Sequence, residues 1–164
     1  MEDSNLFGFL LGVGTLQGGF LGIILWRIAK KGERANKTLA ILLGILSIAL
    51  LGRFAYNEQI FEVVPQLFLI SDITMFLYGP LFFLYIQEVL FGKIEKPSRL
   101  WVHFIPAIFH FITIAIQWTI EPTRYLEMVH ESYPFLFNTW VLSEILALFQ
   151  LTIYLVICLR LTLK

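Results

Sequence analysis

Long uncharged apolar stretches limit what this chain can fold into. No charged residue occurs in residues 6–26, and none occurs in residues 100–120 apart from the titratable His103 and His110. An α-helix rises ~1.5 Å per residue, so ~20 residues cross the ~30 Å hydrocarbon core of a bilayer. Hydrophobic residues make up 58% of the chain and charged residues only 15%, whereas a soluble domain carries roughly 25% charged residues. We therefore expect an integral membrane protein.

Five apolar stretches are long enough to span a membrane, and short polar linkers separate them. The predicted spans are residues 6–28, 38–56, 67–90, 100–119 and 137–160. The acidic N-terminus, MEDSN, lacks the basic region of a signal peptide, so the first stretch is expected to remain as a span. The sequence thus predicts an all-α, polytopic membrane helical bundle of five transmembrane helices. It forms a single domain over residues 1–164, with no DNA-binding domain in this chain.

The basic residues predict the orientation of the bundle. Ten of the twelve fall after the first, third and fifth spans: Arg27, Lys30, Lys31, Arg34, Lys37, Lys93, Lys96, Arg99, Arg160 and Lys164. Only Arg53 and Arg124 belong to the opposite side, which instead receives most of the acidic residues. Cytoplasmic loops retain lysine and arginine. We expect the N-terminus outside and the C-terminus in the cytoplasm.

The first predicted span carries a stripe of small residues. Its members recur at helical spacing on one face: Gly8, Gly12, Thr15, Gly19 and Gly22. Small residues let two helices approach closely, which favours association in lipid. Two interpretations stay open, a homodimer contact and packing against another span of the same chain.

Three charged residues lie in the outer third of the predicted spans. They are Arg53, Asp72 and Glu144. An ionised group at such depth costs on the order of 2–3 kcal/mol, so it usually pairs or lines a wet cavity. Arg53 and Asp72 are expected to pair across consecutive antiparallel spans, which leaves Glu144 without an obvious partner. Tyr56 and Gln117 lie at a similar height, so one interpretation is an outer polar cluster or ligand site formed by these five residues. The other is a structural ion pair together with a carboxyl group that is protonated or wetted by lipid headgroups.

Two later spans carry further polar or helix-breaking features. Pro80 removes the backbone hydrogen bond to the carbonyl of Phe76, so Gly79 and Pro80 predict a kink that acts as a hinge or as a fixed bend. The last span has a stripe that is expected to face the bundle interior: Ser143, Ala147, Gln150 and Tyr154.

No pattern in the chain predicts catalysis. His103 and His110 are seven residues apart, which is ~10.5 Å along a helix and too far for one metal ion. The sequence contains no zinc-protease motif, nucleophile elbow or phosphate-binding glycine loop. We expect no enzyme activity, no catalytic residue, no metal site and no cofactor.

Three segments carry a resemblance to a known family. They are LLGRFAYNE at 50–58, SDITMFLYGPLFFLYIQEVL at 71–90 and HFIPAIFHFI at 103–112. In this order and spacing they resemble the membrane-spanning N-terminal part of bacterial AraC-type transcriptional regulators. The recurrent family positions are Arg53, Asp72, Tyr78, Gly79, Pro80, His103 and Pro106. The resemblance implies a multi-pass location in the bacterial inner membrane and signal sensing, with output through a cytoplasmic helix-turn-helix domain.

The chain departs from this family because no helix-turn-helix sequence follows its spans. The expected function is therefore a sensor or input module, truncated or stand-alone, that relays an external or intramembrane signal to the cytoplasmic side. The alternative is a small membrane subunit or accessory protein that assembles with a transporter or another membrane complex. The expected partners are the lipid bilayer and a homodimer mate or partner membrane protein. No nucleic acid is expected to contact this chain itself, and the sequence does not specify a ligand.

Overall fold

The computed structural model describes residues 2–29, 34–64, 66–92 and 97–163, and every regular element in these ranges is helical. The α-helices are α1 (Glu2–Ile28), α2 (Arg34–Asn57), α3 (Gln66–Ile73), α4 (Tyr78–Phe91), α5 (Ile105–Gln117), α6 (Pro122–His130) and α7 (Pro134–Thr162). Short 3-10 helices occupy Ile60–Glu62, Met75–Leu77 and Pro97–Phe104.

Five helical segments are long and apolar enough to cross a membrane. They are Leu6–Ile28, Arg34–Asn57, Leu69–Phe91, Arg99–Gln117 and Leu136–Thr162. Each coincides with one predicted span, which confirms the all-helical class and the five candidate spans. The fourth segment begins as a 3-10 helix and becomes α-helical only at Ile105, where Pro106 occupies the first turn and needs no backbone donor. Orientation in a membrane stays a prediction.

The third span, Leu69–Phe91, is the centre of the bundle. α3 packs against α2 and α5, while α4 packs against α2 and α7. Half of the residues in the most apolar stretch of this span are buried, whereas 28% or fewer are buried in the corresponding stretch of each of the other four spans. α1 lies at the periphery, packed along α2, and leaves large apolar side chains such as Leu16 and Phe20 exposed. Such exposed apolar faces are what lipid contact requires.

Glycines in α1 pack against α2 of the same chain. Gly12 lies beside Phe54, and a Cβ on Gly22 would lie 3.1 Å from the carbonyl oxygen of Ala40. These glycines therefore pack against another span of the same chain, and a homodimer contact through the rest of the stripe stays a prediction.

The centre of this contact is displaced by one residue from the predicted stripe. A Cβ on Gly18 would lie 2.5 Å from the hydroxyl oxygen of Ser47, whereas a Cβ on Gly19 would remain 3.9 Å from it. Gly8 approaches Asn57 and Glu58. The hydroxyl of Thr15 donates to the carbonyl of Leu11, so its hydrogen bond is made within α1.

The helix α6 was not predicted as an element, because its segment looks like a polar linker. Its apolar residues Tyr125, Met128 and Val129 nevertheless follow the i, i+3, i+4 spacing of one helical face. Tyr125 is buried in a cluster with Leu69, Ile114 and Leu136, and Met128 and Val129 pack against that cluster. α6 therefore covers the end of the bundle where α3 begins, α5 ends and α7 begins. We call this the acidic end, because its connections carry Glu58, Glu62, Glu121, Glu127 and Glu131.

The third span is interrupted rather than simply kinked. α3 ends at Ile73, and α4 begins at Tyr78 after the 3-10 turn Met75–Leu77. The interruption thus precedes Gly79 and Pro80, and Pro80 lies in the first turn of α4, where backbone N–H groups lack intrahelical partners. That Gly79 and Pro80 act as a hinge stays a prediction.

Candidate functional site

A cavity of about 350 Å³ lies between α2, the third span and α7. Its polar lining consists of Arg53, Ser71, Asp72, Tyr78 and Glu144. Its apolar lining consists of Ala49, Met75, Ala147, Leu148 and Leu151. We call it the Asp72 cavity. A concave, mostly apolar space with a few convergent polar groups is typical of a small-molecule site.

The structure brings together three of the five residues predicted for the outer polar cluster. Arg53, Asp72 and Glu144 line the Asp72 cavity. Tyr56 lies in an adjacent cavity that shares Arg53, and its ring stacks on Phe61 with a centroid separation of 5.1 Å.

Gln117 is separate from this cluster. It is buried at the end of α5, where its side-chain oxygen accepts a hydrogen bond from the indole N–H of Trp140 at 3.4 Å. Tyr56 and Gln117 do not line the Asp72 cavity although they lie at a similar height in the bundle. They lie on other helix faces than the lining residues.

The prediction that Arg53 pairs with Asp72 is wrong. Its guanidinium forms an ion pair with Glu144, with 3.3 Å between Nη2 and Oε1, and among the described residues it forms none with Asp72. The position of Gly52 explains why Arg53 pairs with Glu144 and not with Asp72. Gly52 faces α3, and a Cβ there would lie 2.5 Å from the Cβ of Ser71. Arg53 follows Gly52 and is rotated ~100° from that contact. The side chain of Arg53 consequently reaches α7.

Asp72 is left with a buried carboxylate. The residue is 7% exposed, and its carboxylate accepts one hydrogen bond, from the hydroxyl of Ser71 at 3.3 Å. Arg53 and Glu144 are each 54% exposed and form the rim of the same cavity. A buried charge is costly unless it is paired. The negative charge of Asp72 has no contacting cation among the described residues, so neutralising it requires a proton or a cation.

Side chains from two other helices satisfy carbonyls exposed by the helix interruption. The Nε2–H of His110, on α5, donates to the backbone carbonyl of Asp72 at 3.0 Å. The amide of Gln150, on α7, donates to the carbonyl of Phe76 at 3.5 Å. That carbonyl is the one that Pro80 deprives of its helical donor, and a neighbouring helix replaces the donor as an interrupted span in lipid requires.

Local hydrogen bonds hold the remaining part of the interruption. The hydroxyl of Thr74 donates to the carbonyl of Ser71 at 2.8 Å. Because that donation uses the only hydroxyl hydrogen of Thr74, the hydroxyl of Tyr78 donates to Thr74 at 2.7 Å. The backbone N–H of Leu77 donates to the carbonyl of Thr74 at 3.0 Å. The break is thus a hydrogen-bonded structure whose donors come from three helices.

The polar stripe of α7 faces the interior as expected. Ala147 and Tyr154 are buried, and Gln150 binds the interruption. The ring of Tyr154 packs directly on Gly79, where a Cβ would lie 2.5 Å from it. The hydroxyl of Tyr154 also bonds to Nδ1 of His103 at 2.7 Å. One face of α7 therefore contacts both the start of α4 and the fourth span.

Tyr125 of α6 is a titratable residue outside the candidate spans that interacts electrostatically with Asp72. Its hydroxyl is buried without a hydrogen-bond partner among the described residues. Burial raises the pKa of Tyr125, and the negative charge of Asp72 raises it further. The Tyr125 hydroxyl consequently stays protonated at every physiological pH.

Other residues of the site carry weaker signals in the sequence. Tyr78 appeared only as a position of family resemblance, and His103 appeared there and as half of a histidine pair too widely spaced for one metal ion. Thr74 and Met75 had no signal, because their role depends on where α3 ends. Within the described ranges, no three histidine, cysteine or acidic side chains converge in a way that could hold a metal ion. Comparison of the chain with protein-family models, curated proteins and solved structures finds no match.

Proposed function

We propose that this chain is a membrane sensor or input module, in which occupancy of the Asp72 cavity changes the geometry of the interrupted third span. One observation carries the proposal: Asp72, Met75 and Tyr78 line the cavity and also flank or form the interruption. A ligand in the cavity would therefore touch the one irregular segment of the central span.

The energetics support such coupling. A continuous helix is stiff, but this interruption depends on a few hydrogen bonds, including those from His110 and Gln150. Each neutral hydrogen bond contributes about 0.5–1.5 kcal/mol net. A ligand shifts the equilibrium by the difference in its affinity for the two arrangements, so a roughly tenfold preference, worth about 1.4 kcal/mol, is enough to offset one of these hydrogen bonds. α4 has 14 residues, so a bend at its start displaces an end ~21 Å away.

The family resemblance supports the direction of the signal. Of the recurrent positions, Arg53, Asp72 and Tyr78 line the cavity, and Gly79 and His103 meet at Tyr154. We propose that the module belongs to a membrane-anchored transcriptional regulator of the AraC type and that its output lies on the cytoplasmic side, at the far end of α4.

A cavity-filling variant tests this coupling without a known ligand. Ala147→Phe places a ring in the Asp72 cavity, where it mimics an occupant. Spin labels at the exposed residues Ile23 and Leu90, in a Cys158→Ala background, report the distance between α1 and the far end of α4. We expect Ala147→Phe to shift the mean distance by about 1–2 Å or more, the scale of helix shifts in switching proteins.

The matched control is Leu146→Phe on the adjacent, exposed face of α7. It adds a ring at the same depth but outside the cavity, so the distance should not change. Ala49→Phe fills the cavity from α2 and should shift the distance as Ala147→Phe does. Unchanged distances in both cavity-filling variants, with the protein folded, would contradict the proposed coupling.

A further inference from the structure

We infer that the Asp72 cavity takes a cationic amphiphile, with an ammonium group against Asp72 and an alkyl body along the apolar wall. This inference rests on the proposed function, because it names the ligand class of the same cavity. Two independent observations carry it, the charge balance of the lining and the separation of its charged and apolar parts.

The charge balance favours a cation. The lining contains one basic group, Arg53, and two acidic groups, Asp72 and Glu144. Arg53 and Glu144 already pair with each other at 3.3 Å. An anionic ligand would have to displace Glu144 from Arg53 and would also face Asp72, and a neutral ligand would leave Asp72 uncompensated. Of the three ligand classes, only a cation compensates the ionised carboxylate of Asp72.

The charged and apolar parts of the lining lie at different depths. Glu144 and Asp72 are near the acidic end of the bundle, whereas Leu148 and Leu151 follow Glu144 by one and two turns of α7. Leu151 thus lies ~10 Å further along the helix axis than Glu144. The volume of about 350 Å³ is at the small end of ligand sites, which run roughly 300–1,000 Å³. An elongated molecule with one charged end and an apolar tail matches this arrangement.

A set of three six-carbon probes tests the charge preference. Hexylamine is cationic at neutral pH, hexanol is neutral and hexanoate is anionic, while the apolar tail is nearly constant. Binding to the full chain is measured by calorimetry in dodecyl maltoside micelles, which contain no cation. We expect hexylamine to bind at least about tenfold more tightly than the other two, because a charge-assisted contact is worth that factor or more.

Three variants locate the preference. Asp72→Asn removes the charge with little change of shape and should abolish the preference for hexylamine. Glu144→Gln releases Arg53 towards Asp72 and should weaken hexylamine binding several-fold, although Glu144 lies on a different helix. Glu62→Gln, an exposed acidic residue outside the cavity, should leave binding unchanged. Equal hexylamine affinity in the wild type and Asp72→Asn, or tighter binding of hexanoate, would overturn the inference.

The ammonium group could come from a free amine or from a lipid headgroup. Adding phosphatidylethanolamine to the micelles distinguishes the two sources. Competition with hexylamine in the wild type, absent in Asp72→Asn, assigns the ammonium to lipid, and absence of competition assigns it to a free amine. Either result supports a cation site.

The inference and the proposed function fail separately. If hexylamine binding depends on Asp72 but the distance between labels at Ile23 and Leu90 never changes, the ligand class stands and the sensor proposal fails. If Ala147→Phe shifts that distance but hexylamine shows no preference over hexanol, the sensor proposal stands and the ligand class is wrong.

Discussion

Arg53 lies between two carboxylates, and the rotation of α2 determines which of them it pairs with. Because Gly52 faces α3, Arg53 reaches Glu144 on α7 and leaves Asp72 without a contacting cation. A double-mutant cycle of Arg53→Ala and Glu144→Ala, followed by thermal unfolding in detergent, should therefore show coupling on the order of 0.5–1 kcal/mol. This is the range of contacting but partly exposed ion pairs.

The matched cycle of Arg53→Ala and Asp72→Asn should show clearly weaker coupling. Asp72→Asn by itself should leave thermal stability unchanged or raise it, because the variant removes an uncompensated buried charge and keeps the shape of the side chain. Stronger coupling of Arg53 to Asp72 than to Glu144 would contradict the observed pairing.

For single residues, the sequence predicts which charged side chains line the Asp72 cavity better than it predicts which of them form an ion pair. The cost of an ionised group at depth was enough to select Arg53, Asp72 and Glu144, and the structure brings all three to one cavity. The partner of Arg53 could not be predicted, because it depends on which residue of α2 faces α3 and on α7 lying beside both.

The contact between α2 and α3 depends on a close approach of the two helices at Gly52. A Cβ on Gly52 would lie 2.5 Å from the Cβ of Ser71 and 3.0 Å from its backbone nitrogen, so the two helices would have to separate. We expect Gly52→Ala to lower the free energy of unfolding by about 1–3 kcal/mol, the usual cost of overpacking. Thermal or denaturant unfolding in detergent measures the change.

Gly44 offers a control on the same helix. A Cβ there would have no neighbour within 4 Å, so Gly44→Ala gains helix propensity without a clash. We expect its stability to be unchanged or raised by up to about 1 kcal/mol. Equal losses in Gly44→Ala and Gly52→Ala would show that the α2–α3 contact is not the cause.

Helices could be predicted from the sequence where the hydrophobic periodicity and the length of a segment both indicate a span. Prediction was less successful where contacts with other helices determine where a helix ends. Pro80 correctly predicted that the carbonyl of Phe76 needs another donor, but the donor, Gln150, lies 74 residues away in sequence. The interruption begins at Thr74 because Thr74 binds the carbonyl of Ser71 and His110 binds that of Asp72. No local pattern predicts such a set of donors from three helices.

The whole molecule has two chemically different ends. The acidic end carries Glu62 and is covered by α6, on which Glu127 is exposed. Among the described residues, the opposite end carries Arg27, Arg34, Lys37, Arg99 and Arg160. The other five basic residues that the sequence assigns to this side, Lys30, Lys31, Lys93, Lys96 and Lys164, lie outside the residues that the structure describes. Because cytoplasmic loops retain basic residues, this asymmetry predicts that the acidic end faces outwards.

Paired topology reporters test that orientation for all five candidate spans. Green fluorescent protein fused after Lys31, Lys96 or Lys164 should fluoresce, because these positions are predicted to be cytoplasmic. Alkaline phosphatase inserted near Glu62 or Glu127 should be active, because it requires export. Each site is tested with both reporters, so that low expression of one fusion is not mistaken for a location. Fluorescence without phosphatase activity at Glu62 would reverse the predicted orientation, and it would place the Asp72 cavity towards the cytoplasm rather than towards the outside.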